Sequence, residues 1–166
     1  MTALPPIARV YIGLGSNMGD KQAAIAEALL HLDTTPHMRV AQRAGNYLTP
    51  PWGDTDQDWF VNTCAALETS LAPDDVLAAC LAIENRMGRV RTRHWGPRVI
   101  DIDLLDYAGI IVSSDNLTLP HPRILERAFV LAPLAEIAPD LIIQGQRIGE
   151  AALKVQDPQI KRMPAP

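Results

Sequence analysis

Val99-Ile-Asp-Ile-Asp-Leu-Leu-Asp-Tyr107 runs into Ala108-Gly109 and then Ile110-Ile-Val112. The first segment alternates as a strand does, the Ala-Gly pair suits a tight turn, and the short apolar run after it reads as the returning partner. A hairpin of this kind gives an antiparallel pairing, which a parallel α/β sheet built only from crossovers would not contain. Working outward, Arg9–Ser16 (RVYIGLGS) reads as a buried strand, and Gly19-Asp20 opens a helix with Ile25, Ala28, Leu29 and Leu32 at three-four spacing. Met38–Leu48 reads as one looser strand, Thr49–Asp58 as a proline-stiffened loop, and Trp59–Glu68 as a further strand. Pro73, with Asp74 and Asp75 behind it, marks a helix start, because proline needs no amide partner in the first turn and carboxylates favour the positive end of the helix dipole. Val76, Cys80, Ile83 and Met87 form its buried stripe. A last helical pattern runs from Pro122 to Ile137, and the tail beyond Asp157 has little to pack against and is expected to fray. The order β-α-β-β-α-β predicts a ferredoxin-like α+β fold, a mainly antiparallel sheet flanked by helices.

The chain has 166 residues, 48% of them hydrophobic, with 10 glycines and 14 prolines. That size fits one domain, residues 1–166, and the Gly and Pro content is well under the roughly one-quarter that accompanies disorder. No apolar run approaches ~18 residues and no signal-peptide pattern opens the chain, so no membrane association and a cytoplasmic location are expected. Cys64 and Cys80 lack metal-ligand companions and read as two buried, reduced thiols. A net charge of -4 opposes a general nucleic-acid partner. Five arginines nevertheless fall at 86, 89, 91, 93 and 98, in a stretch with no Asp or Glu.

That arginine-rich stretch runs directly into the strand bearing Asp101 and Asp103. Alternation puts the two carboxylates on one face, about 6.6 Å apart at their backbones, with Ile100, Ile102 and Leu104 on the other. Like charges so placed call for a cation, and hard oxygen ligands suit magnesium, which takes one or two carboxylates plus phosphate oxygens. The DxD pattern alone is weak and equally describes a solvated strand face. Beside five arginines, whose planar forks bind phosphate oxygens in pairs, it points to phosphoryl transfer from magnesium-bound ATP. Gly13-Leu14-Gly15 with Gly19 imitates a dinucleotide fingerprint, but the third glycine is misplaced, and close packing with a tight turn is the better reading. No Walker-type loop and no protein-kinase signature occurs. His121 is as readily a core or capping histidine as a phosphate contact. Phe60 and Phe129 fit equally a core and a stacking platform.

In order, Ile12-Gly-Leu-Gly-Ser-Asn-Met-Gly19, Tyr47-Leu-Thr-Pro-Pro51, Phe60-Val-Asn62, Gly88-Arg-Val-Arg91, Arg98-Val-Ile-Asp-Ile-Asp-Leu104 and Leu119-Pro-His-Pro-Arg123 resemble the hydroxymethyl-dihydropterin pyrophosphokinase family of folate biosynthesis. The irregular element R-x-R-x-x-x-W-G-P-R-x-x-D-x-D, from Arg89 to Asp103, is the specific part of the likeness. The resemblance implies transfer of the terminal two phosphates of ATP onto the hydroxymethyl group of a reduced pterin, with release of AMP. It implies Asp101 and Asp103 as ligands of two magnesium ions and Arg89 and Arg98 as catalytic arginines. Arg91, Trp95, Arg98 and His121 match ATP-contacting positions, with Glu84 and Thr118 near the nucleotide. Phe60 and Phe129 would sandwich the pterin, Asn62 would bond its polar edge, and Thr49 and Trp52 would complete the pocket. The sequence departs from some members at Phe60 (tyrosine there), Asn116 (arginine there) and Pro122 (an aromatic there), which leaves any binding role of Asn116 unsupported. The loops Thr49–Asp58 and Arg86–Pro97 are expected to close over ATP, and the expected partners are ATP and the pterin, with the enzyme a monomer. The competing readings are a kinase transferring one phosphate to a small heterocycle, and an RNA-binding module that presents aromatics and arginines on its sheet.

Overall fold

The computed structural model describes residues 6–88 and 97–165. In chain order the elements are β1 (Ala8–Ser16), α1 (Lys21–Asp33), β2 (Met38–Arg43), β3 (Tyr47–Thr49), β4 (Phe60–Thr69), α2 (Pro73–Arg86), β5 (Asp101–Tyr107), β6 (Val112–Ser113), β7 (Thr118–Leu119), α3 (Ala128–Ile137), β8 (Ile142–Ile143), β9 (Gln146–Arg147), α4 (Ile148–Lys154) and β10 (Lys161–Arg162). The main sheet runs β10-β3-β4-β1-β5, with β2 also on β4, and every described pairing is antiparallel. Taking β2 and β3 as one bent strand, the order of the central four is that of the ferredoxin-like fold expected from the element sequence.

The helix starts follow their local chemistry. Asp20 caps α1 by accepting the Ala23 amide at 3.1 Å, and Pro73 opens α2 with Asp74 and Asp75 in its first turn. One face of the sheet carries Val10, Ile12 and Leu14 of β1, Ala65 and Leu67 of β4, and Ile102 and Leu104 of β5 against the stripes of α1 and α2. The opposite face packs Cys64 and Leu105 against Val130, Leu131 and Leu134 of α3 and Ile148 of α4. Both cysteines are buried and free, as expected, and burial pushes the Cys80 thiol up to about 12. Among the described residues no helix is long and apolar enough to cross a membrane.

Four local expectations need correction. The segment Met38–Leu48 is two strands, because β2 and β3 are separate runs that both pair with β4. The turn after β5 forms, with the Ile110 amide donating to the Tyr107 carbonyl at 2.9 Å, but Ile110–Val112 does not return along β5. Val112 and Ser113 pair instead with Leu119 and Thr118, and Ile111 is left 87% exposed. The β5 edge is already occupied: the Leu105 carbonyl accepts the His121 amide at 2.8 Å, and the Ile102 amide donates to the Glu84 carboxylate at 3.0 Å. The last helical pattern becomes a single 3-10 turn at Ile124–Glu126, and α3 starts only at Ala128, since Arg127 holds an extended backbone. The tail is not frayed, because β10 pairs with β3 and adds the outermost strand of the sheet.

Candidate active site

Pairing across the sheet explains why a cavity opens where it does. Gly15 of β1 stands between Asn62 of β4 and Asp101 of β5, and Gly13 stands between Cys64 and Asp103. Directly paired residues share a face, so the two glycines lay a bare floor beside two carboxylates. A Cβ on Gly15 would meet Asn62 Oδ1 at 2.5 Å, closer than such contacts occur. The close-packing reading therefore holds at Gly15, whereas a Cβ on Gly13 would make only ordinary contact with Leu105 at 3.8 Å.

The resulting cavity, of about 240 Å³, is lined by Gly13, Gly15, Trp52, Phe60, Asn62, Arg98, Asp101, Asp103, His121, Arg127 and Phe129, together with Leu14, Pro50 and Val130. The structure thus brings together eight of the residues singled out from the sequence, from five separate segments. Thr49 is fully buried beside them and its hydroxyl accepts from Asn62 Nδ2 at 2.8 Å. Trp52 and Phe129 stand 6.4 Å apart with their planes inclined at 59°. Glu84 is buried behind β5 with its carboxylate engaged by the Ile102 amide, and Thr118 is exposed on β7; neither lines the cavity. Asn116 is exposed. Arg89, Arg91 and Trp95 lie outside the described residues.

The electrostatics concentrate at the strand. Burial, then the neighbouring Asp101, pushes the Asp103 carboxyl well above its ordinary value, to about 7. Arg98 Nη1 donates to Asp101 Oδ2 at 2.6 Å. Arg98 is itself fixed by Asn17, whose side-chain oxygen accepts the Arg98 amide at 2.8 Å and whose amide donates to the Arg98 carbonyl at 3.1 Å. The same Asn17 side chain donates to Gln57 and to the Asp58 carbonyl, so one asparagine ties the end of the arginine-rich stretch to the proline-rich loop. Burial, then Arg127 and Arg123, pull His121 down to about 4, and its Nδ1 accepts the Arg123 amide at 3.1 Å. The imidazole is therefore neutral at pH 7 with its proton on Nε2, a donor available to an anionic ligand.

Sequence reasoning missed Arg127 and Asn17. The Arg127 guanidinium lies 4.7 Å from the Trp52 ring centre and 5.5 Å from that of Phe129, and its buried Nε has no hydrogen-bond partner among the described residues. An arginine four residues ahead of Leu131 gives no local signal, since only the fold turns it into the cavity. Asn17 was visible within the glycine-rich motif, but nothing local distinguishes a loop tie from a turn residue.

The family model described as 7,8-dihydro-6-hydroxymethylpterin-pyrophosphokinase (HPPK) matches residues 11–139. The chain belongs to the HPPK family. Its relatives include the 2-amino-4-hydroxy-6-hydroxymethyldihydropteridine pyrophosphokinase of Methylorubrum extorquens, 57% identical over 155 residues, covering 93% of this chain and 98% of that protein. The protein of the same name from Pseudomonas aeruginosa is 41% identical over 159 residues, covering 95% and 98%. As an HPPK the chain is an enzyme of the diphosphotransferase class. Among solved structures, an HPPK-DHPS in complex with substrates superposes with a TM-score of 0.75 at 13% identity, covering 95% of this chain and 46% of that one. The chain thus spans about half of that longer protein, and the likeness supports the HPPK fold.

Proposed function

We propose that this HPPK transfers the terminal pyrophosphoryl group of magnesium-bound ATP to the hydroxymethyl group of 6-hydroxymethyl-7,8-dihydropterin, giving AMP and the pterin diphosphate for folate biosynthesis. The observation that carries the reading is the single cavity in which Asp101, Asp103 and Arg98 meet Phe60, Asn62, Trp52 and Phe129. One end has the charge to hold a triphosphate, and the other has the flat apolar walls and the single amide that a planar, hydrogen-bonding heterocycle needs. Thr49 orients that amide through the Asn62 hydrogen bond.

The donor set fits magnesium. Among the described residues no group of three or more His, Cys, Asp or Glu is gathered, so a site demanding a full set of protein ligands is not formed there. Two hard carboxylates on one strand face suit an ion that completes its shell with phosphate oxygens and water, and the reading takes two such ions. When bound, magnesium would neutralise phosphate charge and favour attack on the β-phosphorus. The protein's own groups orient and neutralise. Arg98, with Arg89 and Arg91 from the adjoining stretch, would clasp the phosphates, Trp95 would contact the nucleotide, and His121 Nε2–H would donate to a phosphate oxygen. Glu84 acts through β5 by fixing the strand between its two aspartates. In the reaction a bond forms from the pterin hydroxymethyl oxygen to the β-phosphorus, the bond from that phosphorus to the α,β-bridging oxygen breaks, the bridging oxygen departs with AMP, and the hydroxyl proton passes to solvent. No cavity side chain is an evident strong base for the hydroxyl, so positioning and charge neutralisation supply most of the acceleration. Closure of the loop Thr49–Asp58 over ATP would exclude water, while the expected closure of Arg86–Pro97 falls largely outside the described residues. The reading takes residues 1–166 as one catalytic unit, acting as a monomer in the cytoplasm.

The test is chromatography of the spent nucleotide after incubation with the reduced pterin and magnesium. AMP supports the reading, ADP would indicate a kinase moving one phosphate, and unchanged ATP would indicate a binding module. The Asp101→Ala variant should abolish AMP formation.

A further inference from the structure

We infer that Arg162, on the C-terminal strand β10, is a positioning residue for the pterin end of the site, acting through β3 on Thr49 and Asn62. The inference rests on the pterin pocket assigned above. Strand pairing sets Arg162 opposite Tyr47, Tyr47 opposite Asn62, Asn62 opposite Gly15 and Gly15 opposite Asp101. One cross-strand row therefore runs over the whole sheet from the tail to the aspartate strand, and Arg162 is its outer end.

The middle of that row is its weakest part. The strand β3 has only three residues, held on one side by β4 and on the other by β10, and it leads through the buried Thr49 to Pro50 and Trp52 in the cavity lining. A single carboxylate gathers its surroundings. Glu136 of α3 accepts from Arg162 Nη2 at 2.9 Å, from the Tyr47 hydroxyl at 2.6 Å and from the Gly45 amide at 3.2 Å. The helix α3 also supplies Phe129 to the cavity, so Glu136 links the contributions of β3 and α3 to the pterin pocket. The hydrogen bond from Arg162, first among its causes, holds the Glu136 carboxyl down to about 2, and Tyr47 is pushed up to about 12. The Arg162 guanidinium lies flat on Gly45, where a Cβ would stand 2.7 Å from Nη2. Below the clamp, the Met163 amide donates to the Asn46 carbonyl at 2.8 Å, which continues the tail's grip on the lead-in to β3.

The Gly45 contact supplies a test that does not remove the arginine. An alanine there would expel the guanidinium tip, a flexible group, without demanding a left-handed backbone. Arg162→Ala and Gly45→Ala should each raise the KM for the pterin about two- to fivefold, the upper range for losing an exposed, hydrogen-bonded ion pair. The KM for ATP and kcat should stay within about twofold. The double variant should match the single ones, because both act on one contact. A purely structural role would lower the melting temperature and raise both KM values together, which would overturn the inference. So would an unchanged pterin KM in both single variants while Asn62→Ala, measured alongside, raises it. If Asn62→Ala also leaves the pterin KM unchanged, the pocket assignment itself fails, and the role of Arg162 falls with it.

Discussion

Gly15→Ala probes the centre of the row at the floor of the cavity. The added methyl would sit 2.5 Å from Asn62 Oδ1 and 3.6 Å from Phe60 Cδ1. The phenylalanine contact is ordinary, but Asn62 must retreat by roughly 1 Å to reach a normal separation. A displacement of that size opens the 2.8 Å bond from Asn62 to Thr49 beyond hydrogen-bond length and withdraws the amide from a bound heterocycle. Losing a neutral hydrogen bond costs about 0.5–1.5 kcal/mol, and leaving a buried partner unsatisfied about 1–3 kcal/mol. The expected loss of pterin affinity is therefore about 1–3 kcal/mol, roughly 5- to 150-fold. The methyl meets no atom of Asp101 or Arg98 within 4 Å among its nearest neighbours, so ATP binding should change by no more than about twofold. The assay is steady-state AMP formation with each substrate varied in turn, together with a melting curve. A wild-type pterin KM in Gly15→Ala would refute the reasoning, as would an equal rise in both KM values. Combining it with Asn62→Ala should add little, because both changes act on one contact.

Asp103→Asn should reduce AMP formation at least a hundredfold, while in magnesium-free buffer at pH 8 its melting temperature should equal or exceed that of the parent. The reason is that burial and Asp101 already disfavour the ionised carboxyl at that position; a lower melting temperature would contradict it. His121, held at about 4, should remain neutral from pH 5 to 8, and its ring-proton NMR shifts should be flat over that window; a midpoint near 6.5 would show the imidazole to be solvated. Glu136 is held at about 2, below its ordinary 4.5, so its network stabilises the fold above pH 4.5 and that contribution fades as pH falls towards 2. Glu136→Gln should therefore flatten the decline of melting temperature between pH 4.5 and 2, and an unchanged slope would argue against the clamp.

The HPPK family and eight of the residues that line the cavity were legible in the sequence because their signals are local. Asp101 and Asp103 need only alternation to share a face, and the strand puts Ile102 and Leu104 in the core opposite them. The cap at Asp20 and the proline start of α2 are equally local. Three of the four errors sit where a long-range partner displaced a local preference. Ile110–Val112 has the composition of a strand, but His121 and Glu84 take the edge of β5 that it would have joined. The apolar spacing from Ile124 onward suits a helix, yet the backbone at Arg127 is extended, which places that guanidinium against Trp52 and Phe129. The tail looked unpacked because its partner, β3, lies more than a hundred residues earlier in the chain.

By itself the sequence determined which residues carry charge and rings, which faces they share, and the order of strands and helices. Those follow from backbone periodicity and side-chain chemistry, which act over a few residues. Only the tertiary structure decided that a bare glycine floor would join Asn62 to Asp101, that Arg127 would turn inward, and that Arg162 would brace the far end of the same row. Those are contacts between distant segments, fixed by which strand edges and buried polar groups remain to be satisfied once the local elements have formed.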